Sequence, residues 1–195
     1  KFRRGTWNRS VEDVLHVLAA IGRGQLAGQG CGAVLMGHSR GGATSLLTMG
    51  RHAKDEAVSS VCGVISLAAP ASLQRLLPGA VAQLQQGIPF ELTSQRTGQT
   101  LHVNPCWIQE QMAEPEKHDL SQQLAQVCVP CVLIHGSEDP TVPPSDAVRL
   151  AQAAPMRCQV HLIEGGNHPF NTPNPFPCDA APSQELATCM THVIQ

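Results

Sequence analysis

The sequence predicts an α/β protein with a mostly parallel sheet flanked by helices. Two observations carry this. From Ala33 onward, short apolar runs of strand length alternate with segments of helical period, the alternation that builds parallel sheets. Three of those runs also end directly in polar or glycine-rich turns, and the carboxyl ends of parallel strands are where functional groups gather. The composition fits: 195 residues, 42% hydrophobic and 14% charged, suit a folded core rather than a disordered chain. Aromatic residues are only 3%, so Leu, Val, Ile and Ala must build that core. A formal net charge of −2 offers no sign of a nucleic-acid partner or an anionic membrane surface. No apolar run reaches membrane-spanning length.

Residues 1–9 are basic and read as irregular. Ser10-Val11-Glu12-Asp13 has capping-box spacing, with Asp13 in the usual glutamate position, and predicts a helix start. Val11, Val14, Leu15, Leu18 and Ile21 then make one apolar face. A glycine-rich connection runs from Gly22 to Gly30. Ala33 to Met36 is a buried-strand candidate, followed by a sharp turn and a helix ending near Gly50. Further strands are predicted over 58–67, 129–135 and 158–163. Helices are predicted over 72–86 with a break at Pro78-Gly79, over 116–127, 145–154 and 184–194. Residues 87–115 show no clear period, and 173–182 is proline-rich. The segment from 71 to 126 interrupts the alternation. It has the size of a cap-like insertion over one end of the sheet, within a single domain spanning 1–195.

The chemistry concentrates in Gly37-His38-Ser39-Arg40-Gly41-Gly42. This matches G-x-S-x-G between a strand and a helix, the setting of a nucleophile elbow. Gly37 and Gly41 are expected to relieve crowding around a serine in a strained turn, and Gly42 and Ala43 to let the helix lie close to the strand. Asp139 follows the strand ending at His135, and His168 follows the strand ending at Ile163. Ser39, Asp139 and His168 are therefore a candidate triad. The serine is a nucleophile only with a base beside it, the histidine can be that base, and the carboxylate orients it. Glu138 competes with Asp139 for the acid role. His135 is expected to pack, His161 to lie inside a strand, and His38 to pack beside the elbow. A metal hydrolase is disfavoured, since His161 and His168 lack helical spacing with a third ligand. No cofactor is implied.

Eight cysteines are present. Cys31, Cys62, Cys131 and Cys158 lie in apolar runs and are expected to be buried free thiols, which suits a cytoplasmic setting. Cys128-Val129-Pro130-Cys131 is a lone C-x-x-C with no second pair at metal spacing.

Three stretches resemble the α/β-hydrolase superfamily: the elbow above, the acid turn Leu133-Ile134-His135-Gly136-Ser137-Glu138-Asp139-Pro140-Thr141-Val142-Pro143, and the histidine loop Ile163-Glu164-Gly165-Gly166-Asn167-His168-Pro169-Phe170. Within it the chain looks closest to dienelactone-hydrolase-like and prolyl-oligopeptidase-like or aminopeptidase-like serine hydrolases. Gln95-Arg96-Thr97-Gly98-Gln99 supports that grouping. The resemblance implies an α/β-hydrolase fold with a helical cap insertion. It implies a small acyl substrate and an oxyanion hole using the backbone N–H of Arg40. The family begins with several strands and a His-Gly loop supplying a second oxyanion donor. Nothing before Ser10 matches them, so the fold is expected to be N-terminally truncated, with Ala33–Met36 as a bare sheet edge. The function expected is hydrolysis of an ester, thioester or amide through an acyl-enzyme. The alternative is a non-catalytic binding module on the same fold. Oligomeric state is left open.

Overall fold

Four strands, β1 (Ala33–His38), β2 (Val61–Leu67), β5 (Cys131–Gly136) and β6 (Cys158–Ile163), form a parallel sheet in the order β1-β2-β5-β6. The computed structural model describes residues 5–26, 31–73, 78–93, 98–173 and 181–194. Along each strand, successive side chains point to opposite faces. Val64 and Leu133 therefore enter one core, while their neighbours Ile65 and Ile134 enter another. The first core is closed by α1 (Trp7–Gly22), α2 (Arg40–Arg51), α6 (Leu120–Gln126) and α7 (Ser145–Ala153). The second is closed by α8 (Gln184–Ile194) through Leu186 and Cys189, together with Phe170. The result is three layers.

Helix α2 is the buried centre of the larger core, with every residue from Gly42 to Gly50 buried. Its close seat on the sheet follows from Gly42, where an added Cβ would meet Ser66 Oγ at 2.6 Å and Gly37 O at 2.9 Å. Strand β1 stands at the sheet edge, with Val34 and Met36 half exposed. That position corrects the cysteine reading in part. Cys31 precedes this edge strand, and Cys62 lies on the neighbouring β2 with its thiol donating to Ala33 O at 3.3 Å; both are exposed, and Cys158 is half-buried. Only Cys131 of the four is fully buried. The described cysteines are all free thiols.

Between β2 and β5 lie α3 (Pro78–Gln85), an antiparallel hairpin of β3 (Phe90–Thr93) and β4 (Thr100–Val103), α4 (Cys106–Ala113), α5 (Pro115–His118) and α6. The hairpin was not expected, because four-residue strands leave almost no period to read. Helix α3 carries Pro78-Gly79 at the start of its described span, and residues 74–77 of the helix expected over 72–86 lie outside the described residues. Asp119 divides the helix expected over 116–127 and caps α6 by accepting the Ser121 and Gln122 amides. Most of the Gln95–Gln99 stretch lies outside the described residues.

Helix α1 begins at Trp7, three residues before the predicted start, with Thr6 as its cap. The reason is tertiary. Glu110 of α4 accepts the amides of Trp7 and Asn8, placing a carboxylate where the helix N-terminus favours one. Arg40 Nη2 donates to the Thr6 carbonyl at 2.9 Å, and its guanidinium lies 4.3 Å over the Trp7 ring. Trp7 in turn faces Trp107 of α4, with ring centroids 6.5 Å apart. These contacts bring both tryptophans to the elbow.

Candidate active site

Ser39 sits between the last residue of β1 and the first of α2, with φ 54° and ψ −119°. A non-glycine residue in that region costs about 1–3 kcal/mol and is held there by its surroundings. The Ser39 amide donates to Leu67 O at 2.7 Å, which ties the turn to β2. Gly37 is sterically required, since a Cβ there would lie 2.2 Å from the Gly41 carbonyl carbon. Gly41 itself is not, because a Cβ there would meet nothing within 4 Å. The expectation that both glycines relieve crowding therefore holds for Gly37 alone. Arg40 opens α2, and its amide belongs to the first turn, where N–H groups lack an intrahelical acceptor.

Asp139 and His168 come together from the turns after β5 and β6, with His168 Nδ1 2.7 Å from Asp139 Oδ2. The other carboxylate oxygen accepts the Thr141 amide at 2.8 Å and the Val142 amide at 2.9 Å. Burial pushes the Asp139 carboxyl up, but the Val142 amide, the His168 ring and the Thr141 amide outweigh it and hold the group below its ordinary value. The carboxylate is thus ionised and accepts from Nδ1 of His168, which leaves Nε2 on the far side of the ring. Glu138 takes no part in these contacts. Ser39 Oγ makes no hydrogen bond to His168 among the described residues, although both lie at the carboxyl end of the sheet.

Two further histidines join this group, and the sequence reading assigned both to packing. His135 is almost fully buried, and its Nε2 lies 3.0 Å from Val142 O and 3.2 Å from Asp139 Oδ2. A carbonyl can only accept, so this nitrogen carries a proton and donates to Val142 O, with Asp139 Oδ2 close beside it. His38 donates Nε2–H to the His168 carbonyl at 2.8 Å, and the two rings pack with centroids 4.7 Å apart. Burial lowers the pKa of His38, opposed by that bond to the His168 carbonyl, and keeps it neutral. The available signal for His135 was its place four residues before Asp139, at the mouth of the same turn. His161 lies away from the group, on β6, stacked on His192 of α8 at 4.0 Å.

A cavity of about 290 Å³ opens beside Ser39, lined by Trp7, Leu73, Val103, Trp107 and Val142 among others. A larger groove of about 440 Å³ lies between α1, α2 and α5 and contains none of Ser39, Asp139 or His168. Among the described residues no group of three or more His, Cys, Asp or Glu could hold a metal ion. No described helix is long and apolar enough to cross a membrane.

The sequence profile of the alpha/beta hydrolase family matches residues 2–187. The chain belongs to that family. No curated protein matches it by sequence. Three solved structures show how this member of the alpha/beta hydrolase family compares in fold. An esterase domain from Rhodothermus marinus is 20% identical, with a TM-score of 0.50, over 71% of this chain and 53% of that one. Est1E from Butyrivibrio proteoclasticus, with ferulic acid bound, is 15% identical with a TM-score of 0.67, over 98% of this chain and 68% of that one. A monoacylglycerol lipase from Paleococcus ferrophilus is 15% identical with a TM-score of 0.62, over 94% of this chain and 74% of that one. The chain thus spans about half of the first of these proteins and about two thirds to three quarters of the others.

Proposed function

We propose that the chain carries the catalytic triad of a serine hydrolase acting on small acyl substrates, with Ser39 as nucleophile, His168 as base and Asp139 as the orienting acid. The observation that carries this reading is the His168 Nδ1–Asp139 Oδ2 bond of 2.7 Å. It leaves Nε2 of His168 free for a proton, at the sheet end where Ser39 is held in a strained elbow. Ser39 Oγ attacks the carbonyl carbon of the substrate as its proton passes to His168 Nε2. The tetrahedral oxyanion is met by the Arg40 amide at the α2 N-terminus. Collapse expels the leaving group, which takes the proton from His168, and leaves an acyl-enzyme. Water then reverses the sequence and releases the acid. The Ser39–His168 hydrogen bond forms in the substrate complex, as catalytic contacts commonly tighten on binding.

The apolar walls of the Ser39 cavity suit an apolar or aromatic acyl group. An ester is the favoured bond, in line with the esterase domain and the lipase among the similar structures. A second reading is a binding module on the same fold. It is favoured by the lack of a Ser39–His168 hydrogen bond among the described residues. The test is hydrolysis of p-nitrophenyl esters of graded acyl length, with the matching anilides alongside. The proposal expects ester turnover that Ser39→Ala abolishes. Ligand binding without turnover, unchanged by Ser39→Ala, favours the binding module.

A further inference from the structure

Five of the eight cysteines gather at the amino ends of the parallel strands, opposite the end that carries Ser39. Cys31 precedes β1, Cys62 is the second residue of β2, and Cys128 lies three residues before β5. Cys131 and Cys158 are the first residues of β5 and β6 and are register partners. Neighbouring strands lie about 4.8 Å apart, and register partners project to the same face. That spacing falls within the range of about 4.4–6.8 Å between Cα atoms that a disulfide bridges.

Their surroundings differ in a useful way. Cys131 Sγ donates to Val129 O at 3.6 Å. The neighbouring Cys158 thiol, with burial adding to it, pushes the Cys131 thiol up. The Cys131 thiol in turn pulls the Cys158 thiol down, against burial. Cys158 is half-buried on an edge strand, whereas Cys131 is enclosed. Arg157 holds the two strand starts in line. Its Nη1 donates to Cys128 O at 2.6 Å, and its carbonyl accepts the Cys131 amide at 2.8 Å.

We propose that Cys131 and Cys158 are a redox-sensitive dithiol, which a small-molecule disulfide such as oxidised glutathione converts into a cross-strand disulfide stapling β5 to β6. The Cys158 thiolate attacks one sulfur of the glutathione disulfide and expels one glutathione thiolate. The Cys131 sulfur then attacks the Cys158 sulfur of the mixed disulfide and expels the second. Two protein thiols are oxidised and one glutathione disulfide is reduced to two thiols, which take up the two protons. The staple closes the β5–α7–β6 unit, whose strands lead into the Asp139 turn and the His168 loop. A cross-link over a loop of that length stabilises by restricting the unfolded chain. The strand length separates it from the chemistry at the other end, so reactivity at Ser39 is left alone. The inference does not depend on the hydrolase proposal.

The test is incubation with oxidised glutathione, blocking with N-ethylmaleimide, and non-reducing peptide mapping by mass spectrometry. The variant Cys31→Ser/Cys62→Ser/Cys128→Ser removes the three exposed thiols at this end and leaves the pair intact. The proposal expects a 131–158 linked peptide in wild type and in this variant, and a Tm raised by roughly 5 °C or more that dithiothreitol reverses. In Cys131→Ser, Cys158 is expected to stop at the mixed disulfide. A Cys128–Cys131 bridge in wild type overturns the proposal. So does a glutathione adduct on Cys158 with Cys131 still intact, or a pair that stays unmodified while the exposed cysteines react.

Discussion

The two halves of the proposed triad are held in place by different physics. The Ser39 side is fixed by backbone sterics. It depends on a positive φ, on a glycine at position 37 packed against the Gly41 backbone, and on a helix pressed onto the sheet at Gly42. The Asp139–His168 side is fixed by hydrogen bonds: two amides and one imidazole converge on a single carboxylate, and a second imidazole beside it donates to the Val142 carbonyl. Steric confinement should fail abruptly when one atom is added. A hydrogen-bond network should fail by degrees as donors are removed one at a time.

The largest effect is expected at Gly37. Gly37→Ala sets a Cβ 2.2 Å from backbone that cannot move away without unseating α2. We expect a loss above about 4 kcal/mol, or no folded protein, in chemical denaturation. Asp139→Asn should fold but lose about 10²–10⁴-fold in kcat/KM for the ester substrate, measured by steady-state kinetics.

Asp139 also makes a prediction about pH. Its pKa is depressed in the folded state, so its stabilising contribution is complete above the unfolded value of about 3.9 and is lost as pH falls through the lower folded value. The Tm difference between wild type and Asp139→Asn should therefore narrow below pH 4. A difference that widens in acid would contradict the hydrogen-bond account.

His135→Leu removes the donor to Val142 O and the imidazole beside Asp139 Oδ2 while leaving the other contacts in place. A loss of about tenfold in kcat with little change in KM is expected, partly restored by His135→Gln, whose amide can donate from a similar position. The smallest effect should come from Gly41→Ala. Nothing lies within 4 Å of the added atom, and alanine is favoured over glycine inside a helix by about 0.5–1 kcal/mol. Its Tm should equal or slightly exceed that of wild type, in contrast to Gly37→Ala.

The same contrast explains what the sequence made legible. Confinement leaves marks in residue type, so the elbow stood out as small residues between a strand and a helix. The strand over 158–163 and the helix over 184–194 could be placed because each follows a clear pattern. Hydrogen bonds between distant segments leave no such mark. Nothing near Thr6 announces that Glu110, far along the chain, will cap α1 there. His135 looked like a packing residue because its partner is defined only after the turn has folded back. The exposure of Cys31 and Cys62 was likewise hidden, since apolar neighbours do not reveal that the amino ends of β1 and β2 lie open to solvent. Gly41 shows the opposite error: a motif position was credited with a steric role that the packing does not require.

The central proposal is that His168 activates Ser39 from across the gap between the two halves. The most direct measurement is the rate at which a fluorophosphonate labels Ser39 in wild type and in His168→Ala, with the labelled peptide identified by mass spectrometry. The account predicts labelling of Ser39 in wild type and a loss of at least about 10²-fold in His168→Ala. Equal labelling rates in the two proteins would contradict it.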